Sequence, residues 1–172
     1  IDLNNGVWVP IGNTKETVFK GHLNGNNYSI YGTQATLLGN IISSSISHLN
    51  IEMQGLAKYA ESSTISYIYS NALFPTNQDN DCNIDRDFGC IVSECLNSDI
   101  TFCIGKTNAT GIWMNLFGGI VGKATNSNIS NCRTYSINIR SIDSPREVEK
   151  DDEYYRGGIV GYLLGGKIQS CS

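Results

Sequence analysis

A sixteen-residue block that recurs along this chain constrains its fold more than any other feature. Phe88-Gly-Cys-Ile-Val-Ser-Glu-Cys-Leu-Asn-Ser-Asp-Ile-Thr-Phe-Cys103 lies over Phe117-Gly-Gly-Ile-Val-Gly-Lys-Ala-Thr-Asn-Ser-Asn-Ile-Ser-Asn-Cys132 without a gap. Eight of the 16 positions are identical, at an offset of 29 residues. A third copy, Arg156-Gly-Gly-Ile-Val-Gly-Tyr-Leu-Leu-Gly-Gly-Lys-Ile-Gln-Ser-Cys171, follows at an offset of 39. An earlier, shorter form runs from Leu38 to Leu49, and Glu61-Ser-Ser-Thr-Ile-Ser-Tyr-Ile68 echoes it 19 residues on. The longer steps carry polar or irregular insertions near residues 71–87, 104–116 and 140–156. The repeats make residues 1–172 one domain, and the third copy, which breaks off after Cys171, implies a segment of a longer chain.

The shortest step decides the kind of repeat. A propeller blade needs about 40 residues and four strands, which a 19-residue step cannot supply, and the leucine ladder of a leucine-rich repeat is missing. The chain holds 21 isoleucines against 6 alanines, with 19 asparagines and 18 serines. β-Branched residues between turn formers argue for strands and against helices. An all-β parallel solenoid with irregular loop insertions fits, each coil pairing short strands with the coils above and below. In that arrangement Ile46, Ile65, Ile100, Ile129 and Ile168 form one inward column. Leu49, Ile68, Cys103, Cys132 and Cys171 form another, three positions later. The pairs Gly118-Gly119 and Gly157-Gly158 mark corners where a Cβ would clash. An aspartate at Ile120 or Ile129 would bury an unpaired charge and unfold the domain.

Charge and cysteine usage narrow the function. A net charge of −4 and a pI near 5.1, without a basic block, argue against nucleic acid as a partner. No apolar run approaches the roughly 20 residues that cross a bilayer. Three N-x-S/T acceptor sites place Asn27, Asn108 and Asn128 as N-glycosylation positions. Six cysteines, Cys82, Cys90, Cys95, Cys103, Cys132 and Cys171, are disulfide candidates; none forms a C-x-x-C pair, and zinc-ligand spacings are absent. In the cysteine column parallel Cβ vectors limit bridging to one pair at most, while Cys82 can reach Cys90 or Cys95. Six cysteines allow 15 pairings and the sequence does not choose among them. Sequons, an even cysteine count and low charge together point to a secreted or cell-surface protein.

Trp8-Val-Pro-Ile-Gly12, then Phe19-Lys-Gly-His-Leu-Asn-Gly-Asn-Asn-Tyr-Ser-Ile30, then the Gly-Gly-Ile-Val-Gly copies resemble the GLUG-type repeats of adhesin-like surface proteins. The resemblance covers most of the chain from Trp8 to Cys171 outside the insertions. It implies a right-handed parallel β-helix in a large extracellular protein, and it brings no catalytic residues. Asn24 stands where aspartate is commoner in those repeats, and the cysteines and sequons are unusual in bacterial members, which points to a eukaryotic secretory protein.

No residue constellation suggests catalysis, so an enzyme, a metal site and a cofactor are not expected. His22 and His48 belong to no metal or nucleophile motif. His48 shares a position with Tyr67, Phe102, Asn131 and Ser170, a mixture typical of a surface or corner. Asp79, Asp81, Asn83 and Asp85 place oxygen ligands on alternate residues, as a calcium loop does, but without the central glycine and terminal glutamate of an EF-hand they read as a solvated loop. The expected function is that of an extracellular structural or adhesive glycoprotein, a stiff rod engaging copies of itself or other extracellular structural proteins. The alternative is polysaccharide binding or degradation through Asp81, Asp85, Trp113 and the exposed tyrosines, with carbohydrate as partner.

Overall fold

The computed structural model describes residues 1–14, 16–72, 87–110, 116–140 and 155–172. Fifteen strands and no helix occur among them. They are β1 (His22–Asn24), β2 (Ser29–Tyr31), β3 (Thr36–Ile42), β4 (Ser45–Glu52), β5 (Gly55–Glu61), β6 (Thr64–Ala72), β7 (Asp87–Gly89) and β8 (Val92–Leu96). There follow β9 (Asp99–Thr101), β10 (Ile104–Thr110), β11 (Leu116–Gly118), β12 (Val121–Ser130), β13 (Arg133–Arg140), β14 (Tyr155–Gly157) and β15 (Val160–Gln169). Twelve form one curled sheet, and β7, β11 and β14 form a second. Every pairing between them is parallel.

The register follows the sequence repeat. Ile46 pairs with Ile65, Ile65 with Ile100, Ile100 with Ile129 and Ile129 with Ile168. Leu38, Ala57, Val92, Val121 and Val160 make a second inward column in the same way. Passes of the chain about 4.8 Å apart thus bring like side chains into contact and exclude water from both. The first four isoleucines of the Ile46 column are fully buried, while Ile168 on the last pass is 44% exposed. Trp8 and Phe19 of the first pass pack against this core, and the Trp8 indole N–H donates to the Leu37 carbonyl at 3.1 Å.

Two left-handed residues per pass bend the chain. Ser43, Ser62, Asn97 and Asn126 have φ of 48–50°, and His48, Tyr67, Phe102, Asn131 and Ser170 have φ of 53–54°. Asparagine and serine tolerate this conformation because their short polar side chains bond locally. Immediately after the first bend sits a buried serine: Ser44, Ser63, Ser98, Ser127. Each hydroxyl except the first accepts the backbone N–H of the serine on the preceding pass, at 3.1 Å in all three cases. Each also donates to the carbonyl two residues before it, at 2.7–3.0 Å. This ladder satisfies backbone donors that the bend removes from the sheet.

The first glycine of each pair is sterically required, and in the pair Gly157-Gly158 the second is not. A Cβ on Gly118 or Gly157 would collide with the carbonyl oxygen of Val121 or Val160, whereas a Cβ on Gly158 meets nothing within 4 Å. Cys90 stands where the second glycine stands in the other copies, and it is buried. Of the polar segment 104–116, Ile104–Thr110 is strand β10, paired with both β6 and β13. Its inward positions are Gly105 and Thr107, so alternation of apolar residues does not announce it. Residues 73–86, 111–115 and 141–154, the bulk of the insertions, lie outside the described residues. No helix among the described residues is long and apolar enough to cross a membrane.

Candidate functional site

Two columns gather the side chains with the greatest potential for recognition or chemistry. The first is the outer corner that begins at His48. The His48 and Tyr67 rings stack with centroids 4.8 Å apart and 16° between planes; Tyr67 and Phe102 stack at 5.0 Å and 4°. Tyr67 is 49% exposed and Phe102 47%. A bulky side chain with left-handed φ costs about 1–2 kcal/mol. Each stacked pair returns about 0.5–1.5 kcal/mol. The three rings offset one another's strain and leave an aromatic strip on the surface. His48 Nδ1 is buried without a hydrogen-bond partner. On the next two passes Asn131 and Ser170 replace aromatic rings, which ends the strip.

The second is the cysteine column. Arg133 N–H donates to the Cys103 carbonyl at 2.9 Å and Ser172 N–H to the Cys132 carbonyl at 3.1 Å, which stacks Cys103, Cys132 and Cys171 on successive passes. Cys132 N–H donates to Cys171 Sγ at 3.4 Å. All five described cysteines carry free thiols. Burial pushes the Cys103 thiol well above its ordinary range, whereas hydrogen bonding from the Cys103 thiol holds Cys132 below it. Partial burial raises Cys171. Elsewhere burial raises Cys90 to about 12 and Cys95 to about 11, so both are inert thiols at neutral pH. Cys82 lies outside the described residues.

The sequons occupy different settings. Asn27 is exposed in a turn with φ of 61°. Asn128 is exposed on β12, where its amide Nδ2 donates to Asp99 Oδ1 at 2.9 Å across one step of the sheet. Asn108 lies on β10, its side chain outside the described residues. Asp79, Asp81, Asp85, Trp113 and Tyr154 are also outside them. Among the described residues no three His, Cys, Asp or Glu side chains gather into a group that could hold a metal. On another outer column Glu94 pairs with Lys123 at 2.9 Å. Next to it the Tyr59 hydroxyl donates to Glu61 Oε2 at 3.1 Å, and burial followed by that bond raises the phenol to about 12. His22 is exposed.

The aromatic strip was visible in the alignment of repeats only as a variable position. The sign that distinguishes it is three ring-bearing residues on consecutive passes, His48, Tyr67 and Phe102, at a place where asparagine suffices. No protein-family model, curated protein or solved structure matches the chain.

Proposed function

We propose that this chain is a right-handed parallel β-helix and serves as a stiff rod in an extracellular structural or adhesive glycoprotein. The observation that carries the reading is the unbroken parallel register from Ile46 to Ile168, with the apolar columns repeating on each pass and the serine ladder running through the first four. A stack of this kind resists bending, and it grows by adding units at its ends. Copies of the same chain or other extracellular structural proteins are the partners such a rod would engage. The sequence resemblance to GLUG-type adhesin repeats agrees with this class of protein, and the exposed Asn27 and Asn128 suit a glycoprotein.

Peptide mapping of the native protein, before and after enzymatic release of N-glycans, tests the reading. Glycans on Asn27 or Asn128 are the expected result; bare asparagine at all three sequons would overturn the extracellular assignment. Carbohydrate recognition is the second reading, favoured by the exposed strip at Tyr67 and Phe102. It predicts that Tyr67→Asn and Phe102→Asn each abolish retention on a polysaccharide matrix.

A further inference from the structure

We propose that the open face of Phe102, with Asn131 on the next pass, binds a pyranose ring of an uncharged polysaccharide. The inference rests on the carbohydrate reading above and gives it one place on the aromatic strip. The rings of His48, Tyr67 and Phe102 stack face to face, with 16° and 4° between planes, so most of the strip turns ring edges to solvent. Tyr67 is enclosed between the other two rings. The first pass covers the His48 end, where the Asn27 N–H donates to the His48 carbonyl at 2.7 Å and His48 Nδ1 is buried. At the other end Phe102, 47% exposed, has a ring on one side only. Thr101 pairs with Ser130, so Asn131 follows Phe102 at the same corner, and it carries a small exposed amide where a fourth ring would stand.

Spacing and chemistry define what fits there. Ring centroids 4.8 and 5.0 Å apart match one pass of about 4.8 Å, so the next place in the stack lies level with Asn131. The negative face of an aromatic ring attracts the weakly positive C–H groups on one face of a pyranose, and covering that face removes apolar surface from water. The rim of a pyranose carries hydroxyls, which need both donors and acceptors. Thr101, Ser130 and Asn131 supply both, and among the described residues no group hydrogen-bonds their side chains. An aromatic side chain from a protein partner would leave these groups with nothing to bond. Thr101, Phe102, Ser130 and Asn131 are all uncharged, and a net charge of −4 disfavours a polyanion, so the ligand class is neutral.

Co-sedimentation with microcrystalline cellulose, chitin and insoluble xylan tests the site. The full chain is used after enzymatic release of N-glycans, because the sequon residue Asn128 lies three positions before Asn131. It should be retained on at least one matrix, equally at low salt and in about 1 M sodium chloride. Asn131→Tyr fills the place with a fourth ring and should weaken retention about tenfold or more, although it lengthens the strip. Asn131→Ala removes only the amide at an exposed position and should weaken it about fivefold. His48→Asn, at the covered end, should leave retention unchanged. Urea midpoints verify that each variant is folded, and if Asn131→Tyr is not, Asn131→Ala decides. Retention that survives both Asn131 variants, or that falls as far for His48→Asn, would overturn the Phe102 site and leave the strip as a whole a carbohydrate surface. No retention of the parent on any matrix would overturn the site and the carbohydrate reading together, and retention lost in high salt would overturn the neutral ligand.

Discussion

Ser98→Ala isolates the serine ladder. The substitution removes one oxygen from a residue that is 2% exposed, and the loss falls on one group. The Leu96 carbonyl, which accepts from the Ser98 hydroxyl, also accepts the Ser62 N–H at 3.0 Å and so keeps a partner. Ser63 N–H, which donates to Ser98 Oγ at 3.1 Å, loses its acceptor in a place closed to water. An orphaned buried donor costs about 1–3 kcal/mol, so a loss of about 2 kcal/mol is expected. Urea denaturation should show a midpoint about 1 M lower for Ser98→Ala at unchanged slope. Ser66→Ala, at a half-exposed position on the outward face of β6, should stay within about 0.5 kcal/mol of the parent. Amide hydrogen exchange gives a local check, since 2 kcal/mol speeds opening at Ser63 by about 30-fold. Equal midpoints for Ser98→Ala and Ser66→Ala, with Ser63 exchange unchanged, would refute the role assigned to the ladder.

Other substitutions probe the remaining parts of the stack. Gly118→Ala drives a methyl into the Val121 carbonyl and should cost about 3 kcal/mol or more, whereas Gly158→Ala should be neutral; thermal melts of the two variants compare them directly. Ile100→Ala, in the closed part of its column, should lose about 2–5 kcal/mol, and Ile168→Ala, on the exposed pass, under about 1 kcal/mol, both read by urea denaturation. Stability should also fall as pH rises from about 9 towards 12. The buried Cys90 thiol stays protonated up to about 12 in the folded chain but ionises near 9 when unfolded, so the unfolded state loses its proton first. Denaturation at a series of pH values should show a flatter decline for Cys90→Ala than for the parent. An equal slope would show that Cys90 does not carry the effect.

Much of this arrangement was legible in the repeat. The isoleucine and cysteine columns follow from aligning sequence copies, because an inward side chain on one pass must match its neighbours in size and polarity to exclude water. The conserved length of the Ile-to-Cys spacing fixes both columns at once, whatever the insertions between them. The serine ladder was harder to see. Ser44, Ser63, Ser98 and Ser127 look like turn residues among many serines, and only the hydrogen bonds from pass to pass reveal buried acceptors. Gly119 and Gly158 resemble Gly118 and Gly157 in sequence, yet steric need separates Gly157 from Gly158, a difference set by carbonyls on the same corner. The strand at Ile104–Thr110 was hidden because Gly105 and Thr107 fill its inner face. The aromatic strip depends on backbone conformation at His48, Tyr67 and Phe102, which residue identity does not report.

A spin-label distance shows whether distant parts of the chain stack in parallel register. Ser45, Thr64, Asp99, Asn128 and Lys167 occupy one outward column on five successive passes. Labels at Ser45 and Lys167 are therefore four strand spacings apart, about 19 Å between backbones. A narrow distribution centred near that value is the predicted result. A broad distribution, or one centred beyond about 30 Å, would contradict the stack from which the rod is derived.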